Sequence, residues 1–148
     1  MNSNFVPLSA KELITKINKI PRVNLATLPT VLEFAPNISK ELNINLYIKR
    51  DDCTALAFGG NKTRHLEFIM AKTLYEDYDC ILTGASSQSN FCRQAAAAAN
   101  KLNLDSYLVL MHGVKGTLMQ GNFLLYNILG ANVDVVEGED LEEIPKHL

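Results

Sequence analysis

From residue 46 onward, the hydrophobic positions form short apolar runs that alternate with longer segments of helical period. Runs rich in β-branched and aromatic residues predict strands, and apolar residues three and four apart predict amphipathic helices. The predicted strands are 46–50, 80–83, 106–111 and 133–136, and the predicted helices are 61–77, 89–103 and 118–129. Asn61 suits a helix N-cap, and Gly130 suits the left-handed residue that follows a helix.

The first forty residues have a different pattern, because they contain four of the five prolines, at positions 7, 21, 29 and 36. Proline restricts its own φ and shifts the preceding residue towards extended geometry. This region is therefore predicted to be extended and rich in turns. One short helical pattern interrupts it, at 10–18.

Strands that alternate with helices at this spacing predict βαβ crossovers, and therefore a parallel, layered sheet of the α/β class. Ligands of such sheets bind beyond the carboxyl ends of the strands. The loops at 58–62, 84–90 and 111–117 are predicted to lie at that edge. A functional site is expected where these loops meet.

The composition narrows the function classes. The chain has 148 residues, 47 % of them hydrophobic and 20 % charged, with a formal net charge of −2 and no run of like charges. We therefore expect no nucleic acid partner and no anionic membrane partner. The first residues do not have the pattern of a signal peptide and no apolar run reaches bilayer length, so a cytoplasmic protein is expected.

Three cysteines, Cys53, Cys80 and Cys92, are widely separated along the chain. No pair of histidines stands at ligand spacing to support them, so we expect reduced thiols and no metal site.

A glycine-rich turn precedes the first long helix, in the run Gly59-Gly60-Asn61-Lys62-Thr63. A phosphate loop requires glycine where Asn61 and Leu56 stand, so that interpretation is rejected. Lys62 is instead a candidate amine for condensation with a carbonyl, because the positive end of a helix dipole disfavours an ammonium. The alternative, a solvated lysine in the first turn, stays open.

A polar cluster, Ser86-Ser87-Gln88-Ser89-Asn90, lies between a predicted strand and a predicted helix. Backbone N–H groups, hydroxyls and amides in such a place can bind a carboxylate. The same residue types also form ordinary N-caps. Arg64 and Arg93, each just inside a helix, are candidate anion clamps, although solvated or packing roles remain open for both.

These motifs occur in one collinear order that covers nearly the whole chain. They are Leu28-Pro29-Thr30, Lys49-Arg50-Asp51-Asp52, Gly59 to Arg64, Leu66-Glu67-Phe68, Gln88-Ser89-Asn90, Arg93-Gln94-Ala95-Ala96, and Gly121-Asn122-Phe123-Leu124-Leu125 continuing to Leu129-Gly130-Ala131. In this combination the chain resembles the fold type II pyridoxal-phosphate enzymes. The nearest branch contains D-cysteine desulfhydrase and aminocyclopropane-carboxylate deaminase.

The resemblance implies pyridoxal 5′-phosphate as cofactor and a role for each matching residue. Lys62 resembles the lysine that binds the cofactor covalently and later moves the substrate's α-proton. Asn90 matches the residue that hydrogen-bonds the cofactor's 3′ oxygen, and Ser89 matches a hydroxyl beside the substrate carboxylate that also takes part in proton transfer in some members. Gln88 would help to hold that carboxylate, and Asn61 would pack the lysine loop.

The resemblance also implies a domain organisation. Residues 1–60 match the N-terminal part of the large cofactor domain, and residues 61–148 match the small α/β domain. The rest of the large domain, with its glycine-rich phosphate cradle, has no counterpart in residues 137–148. The implied partners are a small amino-acid substrate and either a second copy of the chain or the missing C-terminal half. Where many relatives have histidine after Ser-Asn, this chain has Phe91.

Two enzymatic functions follow from the resemblance, and one function of another class. Conversion of D-cysteine to pyruvate, sulfide and ammonia is preferred, because the segments 49–52 and 116–131 are closer to the desulfhydrases. Opening of the aminocyclopropane-carboxylate ring is the alternative, since Cys53 and the segment 56–58 are similar to the deaminases. The third hypothesis is a non-catalytic relative that acts as an interaction module or as one piece of a split enzyme.

Overall fold

The computed structural model describes residues 7–112 and 116–137, in which two sheets and five α-helices form. The helices are α1 (Ala10–Ile17), α2 (Pro36–Leu42), α3 (Lys62–Tyr75), α4 (Asn90–Lys101) and α5 (Gly121–Ile128). The strands are β1 (Leu32–Phe34), β2 (Tyr47–Lys49), β3 (Cys80–Ser86), β4 (Asp105–Met111) and β5 (Asn132–Val136). Two short 3₁₀ helices, Asp51–Thr54 and Leu56–Phe58, connect β2 to α3.

The larger sheet is parallel and has the strand order β3-β4-β5. Helices α4 and α5 connect its strands, as the alternating pattern predicts. In its register, Thr83 of β3 lies opposite Leu108 of β4, which lies opposite Val133 of β5. The predicted α/β class, with a parallel layered sheet, is confirmed.

The core lies between this sheet and its helices. Leu108 and Leu110 of β4 pack against Phe123 and Tyr126 of α5 and against Cys92 of α4. The five successive alanines of α4, 95–99, are all buried. Small side chains let this helix lie close to the sheet on one side and to α3 on the other, where Leu66 and Met70 complete a second cluster. Helix α4 is therefore the central element of the described structure.

The N-terminal region departs from the prediction. Strands β1 and β2 form a separate antiparallel pair, with Leu32 opposite Lys49 and Phe34 opposite Tyr47, and only β2 was predicted. Helix α2 was not predicted either, because its Pro36 was interpreted as a mark of extended backbone. Pro36 lies at the start of the helix, where proline's missing N–H costs no hydrogen bond.

Most predicted boundaries are correct to within a few residues. Helix α5 begins three residues later than predicted. Strand β3 continues to Ser86, into a segment predicted to be loop, because residues 84–86 pair with the last three residues of β4. Asn61 occupies the N-cap of α3, but its side chain makes no capping hydrogen bond. Gly130 has φ = +75° directly after α5, as predicted.

No helix in residues 7–112 or 116–137 has both the length and the hydrophobicity needed to cross a bilayer. In the same residues, no three His, Cys, Asp or Glu side chains are grouped so that they could hold a metal ion.

Candidate active site

Two of the three predicted loops, together with a third segment, meet near the first turn of α4. The loop 59–61 precedes α3, the loop 87–89 precedes α4, and the segment 120–122 begins α5. Two neighbouring side chains of α4, Arg93 and Gln94, hydrogen-bond to these segments. The predicted loop 111–117 lies partly outside the described residues, and the start of α5 joins the site in its place.

Lys62 is the first residue of α3 and is partly buried. Its Nζ has no hydrogen-bond or ion-pair partner among residues 7–112 and 116–137. One turn further along, the pKa of His65 is lowered by burial and then by the positive charge of Lys62. The His65 ring stacks on Phe91, with centroids 5.5 Å apart and an angle of 16° between the planes. Phe91 therefore lies against one face of the His65 ring, beside the lysine.

The glycine pair before Lys62 is required by close packing. Gly59 has φ = +72°, and a Cβ there would lie 1.9 Å from the carbonyl oxygen of Asp52. Gly60 has φ = +133°, and a Cβ there would lie 2.4 Å from Nε2 of Gln94. Side chains are rarely tolerated at such angles. The two glycines thus let the backbone before Lys62 approach its neighbours closely.

Gln94 connects the lysine segment to the start of α4. Its Oε1 accepts hydrogen bonds from the backbone N–H of Thr63 at 2.8 Å and from the Thr63 hydroxyl at 2.7 Å. Its Nε2 donates to the carbonyl oxygen of Asn90 at 3.3 Å. Both Gln94 and Thr63 are fully buried. This connection holds the residue after Lys62 against α4.

Ser89 is the N-cap of α4, and its hydroxyl oxygen accepts a hydrogen bond from the N–H of Cys92 at 3.3 Å. Its carbonyl oxygen accepts a hydrogen bond from the Tyr126 hydroxyl at 2.9 Å. Burial raises the pKa of Tyr126, which keeps that phenol a donor. The backbone N–H groups of Asn90 and Phe91 donate to no group among the described residues, as is usual in a first helical turn.

The side-chain amide of Asn90 is held through its oxygen. Oδ1 of Asn90 accepts hydrogen bonds from Nη1 of Arg93 at 3.0 Å and from Nδ2 of Asn122 at 2.9 Å. Its Nδ2 has no partner within residues 7–112 and 116–137. A donor is therefore left available at the start of α4.

Gln88 uses both ends of its amide within the protein. Oε1 accepts a hydrogen bond from the N–H of Asn122 at 2.8 Å, and Nε2 donates to the carbonyl oxygen of Gln120 at 3.2 Å. Gln88 thus fastens the start of α5 to the loop before α4. Its contact with a substrate carboxylate stays a prediction.

The two arginines considered as anion clamps have internal partners. Arg64 binds the Asp51 carboxylate through Nη2 at 2.6 Å and Nε at 2.9 Å, which lowers the pKa of Asp51. Arg93 donates to Asn90, to Oδ1 of Asn122 and to the carbonyl oxygen of Gly59. Both guanidinium groups are therefore bound by groups of the protein itself. Asn122 was matched in a motif without a role, and its polar side chain at a helix start was the available signal.

The family model described as pyridoxal-phosphate dependent enzyme matches residues 23–147, and the chain belongs to this family. Its structure superposes on that of an ACC deaminase homologue with a TM-score of 0.86 and 36 % identity over 94 % of this chain and 42 % of the other. Threonine deaminase isoform 2 of Solanum lycopersicum, with a TM-score of 0.69 and 24 % identity over 94 % of this chain and 37 % of the other, shares the fold.

Curated relatives give a narrower picture. The D-cysteine desulfhydrase of Klebsiella pneumoniae is 38 % identical over 88 % of this chain and 43 % of its own length. That of Salmonella paratyphi B is 39 % identical over 82 % of this chain and 38 % of its own length. A Pyrococcus horikoshii protein with the provisional name 1-aminocyclopropane-1-carboxylate deaminase is 37 % identical over 92 % of this chain and 41 % of its own length. The chain thus spans about two fifths of the length of these relatives, and the predicted resemblance is confirmed.

The donor set suits one side of a pyridoxal-type cofactor, which carries an aldehyde and a phenolic oxygen. Lys62 provides an amine that has no partner in residues 7–112 and 116–137, and Asn90 provides an amide N–H that is unused within the same residues. The two backbone N–H groups at the start of α4, which also have no partner there, add donors for an anion. A glycine-rich cradle for the phosphate was not expected in this chain, and residues 138–148 lie outside the described structure.

Proposed function

We propose that this chain supplies the lysine-bearing part of a pyridoxal-phosphate-dependent deaminating lyase for a small amino acid, with D-cysteine as the preferred substrate. The observation that carries the proposal is Lys62, whose amine at the start of α3 has no partner among the residues that the structure describes, in a chain 38 % identical to a D-cysteine desulfhydrase. In this reaction D-cysteine loses its α-proton and its thiol, and water then releases ammonia, so that the products are sulfide, ammonia and pyruvate.

The cofactor, when bound, supplies the electron sink for the bond broken at the α-carbon. In the proposed site, Nζ of Lys62 holds the cofactor and moves the α-proton, and Nδ2 of Asn90 donates to the 3′ oxygen. The Ser89 hydroxyl lies next to the substrate carboxylate, for which Gln88 provides further support. Asn61 packs the loop that carries the lysine.

The Ser89 proposal is supported by the hydrogen bonds of that residue. As the N-cap of α4, its oxygen accepts a hydrogen bond from the N–H of Cys92, while its own O–H remains able to donate. The N–H groups of Asn90 and Phe91, which have no acceptor in the described part of the chain, belong to the same turn. A carboxylate at this place would receive donors from both the backbone and the hydroxyl.

Two domain-level proposals concern partners. We assign residues 1–60 to a larger cofactor domain and residues 61–148 to the small α/β domain. Several apolar side chains of the first segment are exposed, including Ile14 at 58 %, Leu32 at 61 % and Leu42 at 58 %. Such a surface favours pairing with a C-terminal half or with a second copy. A non-catalytic interaction module would use the same surface.

Aminocyclopropane-carboxylate ring opening is the second candidate activity. It is supported by the structural similarity to the ACC deaminase homologue, at a TM-score of 0.86. A cytoplasmic location is also proposed, and the free thiols of Cys53, Cys80 and Cys92 agree with a reducing compartment.

The cofactor assignment is tested by labelling. The purified chain is mixed with pyridoxal phosphate, reduced with borohydride and digested, and the modified lysine is located by mass spectrometry. We expect a visible absorbance band and a label at Lys62, both lost in Lys62→Ala. Lys72→Ala, an exposed lysine on the same helix, is the matched control and is expected to keep both. Labels scattered over many lysines would reject Lys62 as the cofactor lysine in this chain.

Substrate choice needs a complete site. The chain is therefore co-expressed with the remaining part of the Klebsiella pneumoniae desulfhydrase, and sulfide release from D-cysteine is compared with ammonia release from aminocyclopropane-carboxylate. We expect D-cysteine to be turned over faster, and the opposite order would favour the deaminase. If the assembled protein binds the cofactor at Lys62 and acts on neither compound, the substrate assignment is wrong. Co-purification of the two parts, against a monomeric chain, tests the pairing surface.

A further inference from the structure

Arg93 of α4 reaches three segments of the candidate site at once. Nη1 donates to Oδ1 of Asn90 and to Oδ1 of Asn122, both at 3.0 Å, and Nη2 donates to the carbonyl oxygen of Gly59 at 2.9 Å. Its Nε is buried and has no hydrogen-bond partner within residues 7–112 and 116–137. No carboxylate pairs with Arg93 among the residues that the structure describes. The cation is therefore surrounded by neutral oxygen atoms, two of which belong to side-chain amides.

This arrangement determines which way each amide points. An arginine side chain has only donors, so the amide atom that contacts Nη1 must be oxygen. Asn122 therefore presents Nδ2 on its other side, where it donates to Oδ1 of Asn90 at 2.9 Å and to the carbonyl oxygen of Gln88 at 2.7 Å. Oδ1 of Asn90 then receives two donors. A rotated Asn90 amide would place its NH₂ group against both of them.

We propose that Arg93, assisted by Asn122, is the positioning residue that fixes the Asn90 amide with Nδ2 directed away from the network as a donor. The proposal rests on the proposed function, in which that donor meets the cofactor's 3′ oxygen. Through Gly59, the same guanidinium holds the loop that carries Lys62 at a set place relative to Asn90. One side chain thus aligns the amine and the amide donor.

The positive charge adds a second effect. A cation on the oxygen of an amide polarises it, so the N–H groups of Asn90 become stronger donors. A side chain that only packed α4 against its neighbours would not have this effect. The two roles therefore differ in what they predict for the Asn90 amide itself.

The first experiment needs no cofactor. Nuclear magnetic resonance relaxation gives the order parameter of the Asn90 side-chain amide nitrogen in the whole chain. We expect a value in the rigid range, about 0.85, in the wild type and about 0.6 or lower in Arg93→Met. Arg93→Lys keeps one charged donor, so its order parameter is expected to lie between those of the wild type and Arg93→Met. Arg50→Met, which removes a half-buried, ion-paired guanidinium outside the site, is the matched control and is expected to match the wild type.

An unchanged order parameter in Arg93→Met would overturn the proposal. If Arg93→Met does not fold, Asn122→Ala decides, because it removes one of the two donors on Oδ1 and leaves α4 intact. We expect a lower order parameter there as well. A rigid Asn90 amide in that variant would also contradict the proposal.

The second experiment measures pyridoxal phosphate affinity by titration of the visible band. Arg93→Met is expected to weaken binding about tenfold, the value of one charge-assisted hydrogen bond. When Asn90 is already replaced by alanine, Arg93→Met is expected to change the free energy of cofactor binding by less than about half as much, because the amide that Arg93 positions is gone. Equal effects in both backgrounds would show a purely structural role. If the wild type binds no cofactor, the proposed function fails, while the relaxation result still decides the role of Arg93.

Discussion

Replacing Gln94 with methionine tests the connection between the lysine segment and α4. Methionine has a similar length and fills a similar space, but it neither accepts nor donates the hydrogen bonds of the amide. The change removes the bonds from Thr63 N and Thr63 Oγ1, at 2.8 and 2.7 Å, and the longer bond to the Asn90 carbonyl oxygen at 3.3 Å. All three bonds lie in or beside a fully buried pair of side chains.

The expected loss of stability depends on whether each group that now bonds to Gln94 can find another partner in the variant. Thr63 is the second residue of α3, so its N–H has no partner inside the helix, and burying it unsatisfied costs about 1–3 kcal/mol. The Thr63 hydroxyl still has Oγ1 of Thr54 at 3.4 Å and loses about 0.5 kcal/mol. Loss of the long bond to Asn90 costs about another 0.5 kcal/mol. Gln94→Met is therefore expected to lower the free energy of unfolding by about 2–4 kcal/mol.

Urea unfolding followed by circular dichroism measures this difference, provided that the slope of the transition is unchanged. Lys101→Met is the matched control, because Lys101 is exposed in the last turn of the same helix, and its effect is expected within about 0.5 kcal/mol. A Gln94→Met variant as stable as that control would refute the reasoning. It would mean that the N–H of Thr63 finds another acceptor, and that Gln94 does not hold the lysine segment.

Two further predictions concern the lysine loop and its surroundings. Gly59→Ala is expected to lower the free energy of unfolding by about 3 kcal/mol or more, because the backbone lies in a region used almost only by glycine and the Cβ would meet the Asp52 carbonyl oxygen. Gly130→Ala is the control, since Gly130 has a positive φ but no close neighbour, and it is expected to lower the same quantity by about 1 kcal/mol in the urea assay. Equal effects of the two substitutions would contradict this prediction. The second prediction is a pH dependence of stability. Arg64 holds the pKa of Asp51 in the folded protein below its usual value, so the ion pair stabilises the fold fully above the unfolded pKa of about 3.9. This contribution disappears as the pH falls through the lower pKa of the folded protein. Asp51→Asn is expected to reduce the loss of stability that occurs as the pH falls below about 5, and an unchanged pH profile would contradict that role.

Local patterns predicted the parallel part of the fold well. The helices α3 and α4 and the strands β3 to β5 each have an apolar period or an apolar run, and these signals depend only on residues close in sequence. The pair β1 and β2 was only half predicted. Strands of three residues carry almost no period, and their pairing is decided by a partner about fifteen residues away.

The candidate site was likewise predicted only in part. Lys62, Ser89 and Asn90 were selected because their motifs resemble those of a known family and stand at helix starts. Their surroundings depend on contacts between segments far apart in sequence. Gln94 reaches Thr63 across 31 residues, and Asn122 reaches Asn90 across 32. No spacing of residues in the sequence predicts a contact over such a separation, so Asn122 was not assigned a role.

The sequence by itself determined the α/β class and the order in which helices connect the parallel strands, because hydrophobic periodicity and glycine placement are local properties. It also predicted Lys62 as the cofactor lysine, and that prediction rests on the order of the motifs shared with a known family. Only the tertiary structure decided that Arg93 binds neutral oxygens and that Gln88 fastens α5. It also decided which atom of the Asn90 amide remains free. That choice depends on two donors that approach the oxygen from α4 and α5, and donors brought together by packing are set by the fold as a whole.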